Sequence, residues 1–172
     1  MTNGRAASVS PVDPAWFVRG PGGIHGIGHV MRVRTHALAL TEALGVEPRL
    51  ARAIERAAAW HDIGRVDDGV DDHHGERSVA RAIQLGLPAG EPEAVAGPAL
   101  FAVRWHSRSD QEGLDAAARA PEPEAAAFVL KVLKDADGLD RVRIGDLDTS
   151  RLRFEASRAR VAEAWRMLRE PR

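Results

Sequence analysis

Apolar residues recur at steps of three and four along most of this chain. The clearest series, which stops before Gly45, is Val30, Val33, Ala37, Leu40 and Leu44. Such spacing puts apolar side chains on one face of an α-helix, whereas a strand needs strict alternation, which is nearly absent here. Similar patterns predict six main helices, at about 28–44, 47–63, 75–85, 93–106, 124–139 and 154–169. The fold class we expect is therefore all-α, a compact helical bundle.

The length of the chain bounds its domain organisation. It has 172 residues, of which 44% are hydrophobic, and this is enough for one continuous core. Pro11, Pro14 and Pro21 lie among several glycines, which predicts that residues 1–23 are an irregular N-terminal leader. We expect residues 24–172 to form a single domain.

Charge and composition exclude several classes of function. The 24 lysines and arginines nearly balance the 25 aspartates and glutamates, so we expect no stable nucleic-acid binding and no attachment to a membrane surface. No apolar run is long enough to span a membrane and no signal-peptide core is visible, which predicts a cytoplasmic location. Cysteine is absent, so any metal must be held by nitrogen and oxygen ligands. The oligomeric state stays open between a monomer and a homodimer.

Ionisable side chains normally stay off the buried face of an amphipathic helix. Four predicted helices break this rule, each with one potential metal ligand on its apolar face: His29, His61, His106 and Asp137. A buried carboxylate among imidazoles is costly unless a cation compensates its charge. Asp62 follows His61 at the end of its helix, where the helix macrodipole favours a cation. The sequence therefore predicts a divalent metal site.

The fifth predicted helix offers two aspartates. Asp135 lies about 160° around the helix from Asp137 and four residues after Lys131, as expected for a solvated ion pair. We therefore expect Asp137 to be the ligand and keep Asp135 as the less favoured choice. Asp140 follows near the helix end, and we expect it beside the ligands rather than on the metal.

Several segments resemble the HD superfamily of metal-dependent phosphohydrolases. They are HGIGHVMRV, WHDIGR, DDGVDDHHGERS, RWHS and DADGLDRVRIG, which span about residues 23–148 and are similar to a group of small stand-alone bacterial HD proteins. The resemblance implies an HD-type bundle with one metal ion held by four ligands: His29, His61, Asp62 and Asp137. The candidate ions are Mn, Fe, Co, Ni, Zn and Mg.

The resemblance also raises the question of a second ion. In HD proteins with two metals, the HD aspartate bridges and two histidines are added between it and the final aspartate. Here these would be His74 and His106, while His73 is a less favoured rival of His74. In the alternative interpretation, His74 and His106 bind substrate phosphate and only one metal is present.

The function implied by the resemblance is hydrolysis of a phosphoester in a small molecule, such as a nucleotide or a related phosphorylated metabolite. Asp62 would orient the attacking water. Four cations flank the proposed ligands and could clamp the phosphate: Arg32, Arg65, Arg77 and Lys134. Two alternatives stay open, namely a mixed-valent di-iron oxygenase with the same six ligands and a non-catalytic metabolite-binding module.

Two other histidines lie near His29 in the chain: His25 precedes it and His36 follows it. His25 and His29 have the H-x3-H spacing of some zinc proteases. No glutamate follows His25, and Gly26 and Gly28 disfavour a helix between the two histidines, so we reject a protease site there. We interpret His36 as a core residue or as a group that supports His29.

Overall fold

The structure, a computed structural model, describes residues 12–169. In this range the chain forms no strand and eight α-helices, which are α1 (Ile27–Ala43), α2 (Pro48–Trp60), α3 (His74–Gln84), α4 (Glu93–Trp105), α5 (Asp110–Ala117), α6 (Pro123–Leu139), α7 (Glu155–Ala159) and α8 (Val161–Arg169). Short 3₁₀ helices cover Pro14–Trp16, Leu87–Gly90, Asp140–Ile144 and Thr149–Arg151. The predicted all-α class is confirmed for these residues. Among them, no helix is both long and apolar enough to cross a membrane.

Four helices form the centre of the bundle. α2 packs against α1 and α4, and α6 contacts all three of these helices. Their fully buried side chains include Leu40, Ile54, Leu130 and Leu133. Burying one such side chain contributes about 1.5–3 kcal/mol to stability. These four helices carry, or end directly before, five of the six predicted ligands, whereas His74 lies in α3.

The helix α5 was not predicted from the apolar spacing, which treats residues 107–123 as a polar connection. Its signal lies instead in its cap. The Ser109 hydroxyl oxygen accepts a hydrogen bond from the Glu112 N–H (3.3 Å), and the Glu112 carboxylate accepts one from the Ser109 N–H (3.1 Å). This reciprocal capping box satisfies two N–H groups that the helix itself cannot pair, so it starts a helix with little apolar character.

The last predicted helix, 154–169, is divided in the structure. The Arg160 N–H donates to the Ser157 carbonyl (3.1 Å), which is a three-residue step rather than the four-residue step of an α-helix. The chain resumes α-helical geometry in α8, where the Ala164 N–H donates to the Arg160 carbonyl (2.9 Å). Apolar periodicity continues across this turn, so the sequence pattern does not reveal the break.

The segment before α1 is irregular apart from one 3₁₀ turn, and it is packed against the domain. Val12 and Phe17 are buried in the core. The Val18 N–H donates to the Ile63 carbonyl (3.0 Å), next to the HD dipeptide. The described part of the leader, from Val12 onward, therefore contributes to the core. The predicted domain boundary between the leader and residue 24 stays a prediction. Residues 1–11, which include Pro11, and residues 170–172 lie outside the described range.

Two glycines allow the backbone to close around the HD dipeptide. A Cβ atom at Gly64 would overlap the backbone of Arg77 and Ser78 in α3, and one at Gly75 would overlap the carbonyl oxygens of Val103 and Arg104 in α4. These close approaches are possible only without a side chain. They bring the start of α3 and the end of α4 beside the turn that follows α2.

Candidate metal centre

Six ligand-type side chains from five parts of the fold converge at one end of the bundle. They are His29 in α1, His61 and Asp62 directly after α2, His74 at the start of α3, His106 directly after α4, and Asp137 in α6. All except Asp137 are buried. Asp137 is 31% exposed and reaches the centre from its rim. The structure thus brings together every residue that the sequence predicted for the two metal positions.

Each of the four imidazoles is oriented by an acceptor behind its ring. The Nδ1 atoms lie at hydrogen-bond distance from an acceptor in every case: Asp140 Oδ2 for His29 (2.7 Å), Ala58 O for His61 (2.9 Å), Asp71 O for His74 (2.5 Å) and Val103 O for His106 (2.7 Å). A carbonyl or carboxylate oxygen can only accept, so each Nδ1 carries a proton and donates. In a neutral ring the Nε2 atom then presents its lone pair to the centre.

The four Nε2 atoms face one another in two pairs. His29 and His61 are 3.1 Å apart at Nε2, and His74 and His106 are 2.8 Å apart. Two lone pairs at this distance repel unless a cation or a proton lies between them. Nitrogen and carboxylate ligands suit the divalent first-row metals, and the geometry therefore fits a cation at each pair.

The Asp62 carboxylate lies between the two pairs. Its Oδ2 atom is 3.4 Å from His29 Nε2 and 3.8 Å from His61 Nε2. Its Oδ1 atom is 3.1 Å from His74 Nε2 and 3.6 Å from His106 Nε2. Each oxygen thus faces one imidazole pair, so this carboxylate could contact a cation at either pair.

Asp137 belongs to the first pair. Its Oδ1 atom lies 3.3 Å from His29 Nε2, and the ligand atoms of His29, His61 and Asp137 are all within 4.8 Å of one another. A second group that meets the same limit is His61, Asp62 and His106. His29, His61, Asp62 and Asp137 could thus surround one cation, and the distances among His74, His106 and Asp62 Oδ1 (2.8–3.6 Å) would allow a second.

Burial lowers the pKa values of the histidines, whereas nearby carboxylates raise them. Burial lowers the pKa of His61 to about 3 and also lowers the pKa of His106, so both rings are neutral ligands at neutral pH. Burial lowers the pKa of His29 too, but hydrogen bonds to Asp137, Asp140 and Asp62 outweigh it and raise that pKa to about 10. In the absence of a metal, a proton on His29 would supply the positive charge that the carboxylates require. A bound cation would replace that proton.

The two aspartates stay ionised although they are largely enclosed. Burial raises the pKa of Asp62, but His61, His106 and other histidines bring it well below its usual value. The pKa of Asp137 is also lowered, because hydrogen bonding and charge from His29 exceed the effect of burial. Both groups therefore offer negative charge to a cation over the whole physiological pH range.

The predicted environment of Asp135 is wrong. We expected a solvent-exposed partner of Lys131, but Asp135 is fully buried. Its carboxylate accepts hydrogen bonds from the backbone N–H groups of Arg153 (2.8 Å) and Phe154 (3.0 Å) and from the Arg153 guanidinium (2.7 Å). A later chain segment covers the face of α6 that the helical wheel treats as outward. Asp135 thus anchors that segment, and the preference for Asp137 as the ligand is retained on the basis of its position.

Three further predictions concerned Asp140, the choice between His73 and His74, and His36. Asp140 lies behind His29, as expected, and His74 rather than His73 faces the centre, because the His73 ring is exposed and near Glu76. His36 is completely buried, which agrees with a core residue, and neither ring nitrogen has a hydrogen-bond partner among residues 12–169.

A cleft of about 1160 Å³ opens onto the candidate metal centre and is lined by Asp62, His74, His106 and Asp137. Arg65 and Lys134 also line it, whereas Arg77 does not and instead pairs with Asp71. Arg65 Nε is 3.3 Å from Asp62 Oδ1, and Lys134 Nζ donates to the Arg108 carbonyl (2.6 Å).

The prediction that Arg32 clamps the substrate phosphate needs correction. Arg32 is not among the residues that line the cleft. Its guanidinium instead donates to Asp140 (2.5 and 3.0 Å), on the far side of His29 from the centre. Because Asp140 also accepts from His29 Nδ1, Arg32 acts on the ligand through that carboxylate. The ion pair forms across 108 residues of chain, and no local pattern predicts it.

Two residues of the cleft were missed from the sequence. His25, rejected as part of a protease motif, lines the cleft with Nδ1 3.1 Å from Asp62 Oδ2. Arg143 also lines the cleft and contacts the same ring. The four-residue spacing from His29 was the available signal for His25, whereas no pattern distinguishes Arg143 from the other arginines.

No protein family, curated protein or solved structure matches the chain at a meaningful level.

Proposed function

We propose that this protein is a metal-dependent phosphohydrolase with an HD-type helical bundle and two divalent cations. The observation that carries the proposal is the pair of facing imidazole sets separated by one carboxylate. His29, His61, Asp137 and Asp62 Oδ2 would hold the first cation, and His74, His106 and Asp62 Oδ1 the second. The resemblance to the HD superfamily supports the same ligand set.

The cations would supply Lewis acidity for a phosphoryl oxygen and would lower the pKa of a water molecule. The protein residues then have separate tasks. Both oxygens of Asp62 face imidazole nitrogens, which leaves that carboxylate little capacity for a water. Asp137 uses Oδ1 toward His29 and is partly exposed in the cleft, so we assign to Asp137, rather than to Asp62, the role of orienting the attacking water.

The lining of the cleft favours an anionic substrate once the cations are present. Seven lysine and arginine side chains and eight aspartates line it, so two divalent cations make its net charge positive. Its volume suits a metabolite of nucleotide size. Ile24, Val70 and Ile144 are exposed apolar residues that also line the cleft, and they would contact a base or another uncharged part of the substrate.

The same six ligands would suit a mixed-valent di-iron oxygenase. An oxygenase substrate needs no positive cleft, so Arg65 and Lys134 favour the hydrolase. Iron content and oxygen uptake separate the two functions. A non-catalytic metabolite-binding module would bind metals and phosphate but would neither release phosphate from any metabolite nor consume oxygen.

The test is a screen of phosphorylated metabolites with Mn, Fe, Co, Ni and Mg, combined with metal counting on wild type and on Asp62→Asn. We expect two metals per chain in wild type, metal-dependent release of phosphate, and a loss of activity of at least about 100-fold in the variant. Asp115→Asn, in an exposed position of α5, is the matched control and should behave as wild type. Wild-type protein that retains no metal, or an Asp62→Asn variant with full activity, would refute the proposal.

A further inference from the structure

His25 lies beside the metal centre but is not part of the ligand set proposed above. It precedes α1, its side chain is 14% exposed, and its ring packs edge-on against His29 at a centroid distance of 5.5 Å. Its Nδ1 atom is 3.1 Å from Asp62 Oδ2. Its function depends on which ring nitrogen carries the proton.

Arg143 determines that choice. Its side chain is only 6% exposed and is held by two backbone carbonyls, with Nε donating to Ile24 O (2.9 Å) and Nη1 donating to Asp140 O (3.1 Å). The remaining nitrogen, Nη2, lies 3.1 Å from His25 Nδ1. A guanidinium has donors only, so Nδ1 accepts in this contact, whereas the contact with Asp62 Oδ2 at the same distance of 3.1 Å would require Nδ1 to donate. When Nδ1 accepts from Arg143, the ring proton is on Nε2.

Two competing roles for His25 Nδ1 are less favourable. It could donate to Asp62, but an N–H would then face the Arg143 N–H, and a cation held by Asp62 would compensate the charge of that carboxylate instead. It could also join His29 and Asp62 as a metal ligand, since the three ligand atoms lie within 4.8 Å of one another. The fixed positive charge of Arg143 at 3.1 Å repels a second cation at this nitrogen.

We propose that His25 is a substrate-binding residue whose Nε2–H donates a hydrogen bond to a phosphoryl oxygen in the cleft, and that Arg143 fixes the tautomer. The contacts of the His25 ring with Asp62 and Arg143 both use Nδ1, and the ring lines the cleft together with Asp62 and Asp137. The donor would therefore be free for a ligand. This inference rests on the proposed function, because the phosphoryl group must bind at the metal centre.

The first test measures the tautomer directly. Nitrogen-15 NMR of the zinc-loaded protein should show a protonated Nε2 and an unprotonated Nδ1 for His25, identified by the signals lost in His25→Gln. Arg143→Met should remove the preference, since the donor to Nδ1 is gone. A protonated Nδ1 in the wild-type protein would overturn the assignment.

The second test measures binding of inorganic phosphate to the manganese-loaded protein by calorimetry. A hydrogen bond to a charged group is worth about 1.5–3 kcal/mol, so His25→Ala should weaken phosphate binding by roughly 10-fold or more while the metal count stays at the wild-type value. His25→Gln, which keeps an N–H donor, should recover part of the affinity. His73→Ala, in an exposed histidine outside the cleft lining, is the matched control and should bind phosphate as wild type.

The outcomes separate this inference from the proposed function. Wild-type protein that binds neither metal nor phosphate contradicts the proposed function. Normal metal and phosphate binding in both wild type and His25→Ala contradicts only the role of His25. Loss of a metal ion in His25→Ala would show that the residue is a ligand instead, and would also overturn the inference.

Discussion

At the level of single residues, the orientation of each imidazole is decided by the acceptor behind it. Three histidines use backbone carbonyls that belong to their own helix end or loop, so their tautomers follow from local geometry. His29 is different, because its Nδ1 donates to the Asp140 carboxylate, which comes from a segment 111 residues away. A charged acceptor makes the ring a stronger ligand and leaves it sensitive to substitution elsewhere.

We therefore predict that Asp140→Asn weakens metal binding at the first position. The substitution keeps the shape of the side chain but removes the charge that supports His29, and loss of such a supporting group typically costs about 10–100-fold in metal affinity. The affinity can be measured by competition with a chromophoric chelator. Asp146→Asn, an exposed aspartate that pairs with Arg141, is the control and should leave the affinity unchanged. Unaltered affinity in Asp140→Asn would show that the contact is only structural.

We predict that two histidines determine whether one or two metals bind. His74→Ala/His106→Ala should lower the stoichiometry from two metals per chain to one, because the four ligands of the first position are untouched. Metal analysis after loading and gel filtration measures this ratio, with His73→Ala as the control. If the wild-type value is firmly one with metal in excess, His74 and His106 bind substrate rather than metal, and the di-iron oxygenase is excluded as well.

At the level of helices, the site depends on how closely α3 approaches its neighbours. His74 and His106 can meet at 2.8 Å only because α3 begins against the end of α4. Gly75, directly after His74, permits this contact, since a Cβ atom there would overlap the Val103 and Arg104 carbonyl oxygens. The second proposed metal position therefore depends on helix packing as much as on its ligands.

Gly75→Ala should consequently impair the second metal position more than the first. The added methyl group forces α3 away from α4, at a cost of about 1–3 kcal/mol in the free energy of unfolding. Urea denaturation and metal counting on the same preparation measure both effects. Gly90→Ala is the matched control, because a Cβ atom there meets nothing within 4 Å and the change should stay within about 0.5 kcal/mol. Two retained metals in a stable Gly75→Ala variant would contradict the packing argument.

At the level of the whole molecule, one buried histidine links stability to pH. His36 has no hydrogen-bond partner among residues 12–169, and it is completely buried in α1. Burial, reinforced by the charge of Arg160, lowers its pKa to about 4, against an ordinary value of 6.5. As pH falls, the unfolded chain therefore binds this proton before the folded protein does. The stability that the neutral ring provides is complete above about pH 6.5 and is lost progressively between 6.5 and 4.

Between pH 7.5 and pH 5 this effect amounts to about 2 kcal/mol of unfolding free energy. Wild-type protein should lose that much more stability than His36→Leu, which keeps the volume of the side chain and has no proton to bind. Urea unfolding of both proteins at the two pH values, with EDTA present to remove metal effects, gives the difference. Equal losses in the two proteins would mean that His36 does not titrate on unfolding.

Much of the fold and of the site follows from local periodicity alone. The spacing of apolar residues predicts the central helices, because each helix must turn one face to the core whatever packs against it. It also reveals His29, His61, His106 and Asp137, since ligand-type side chains on those faces are exceptions to the rule. The capping box of α5, Ser109 and Glu112, could also have been recognised in the sequence. These features depend only on residues close together in the chain.

The remaining features required the tertiary structure, and they share a physical cause. Asp135 is buried by residues 153–154, Arg32 is drawn to Asp140, and Arg143 orients His25 across 118 residues. Each depends on which distant segment covers a given face or offers a given acceptor, and a helical wheel contains no such information. The sequence by itself thus determined which residues can be ligands. Only the packing of distant segments decided which groups orient them and which ones face the cleft.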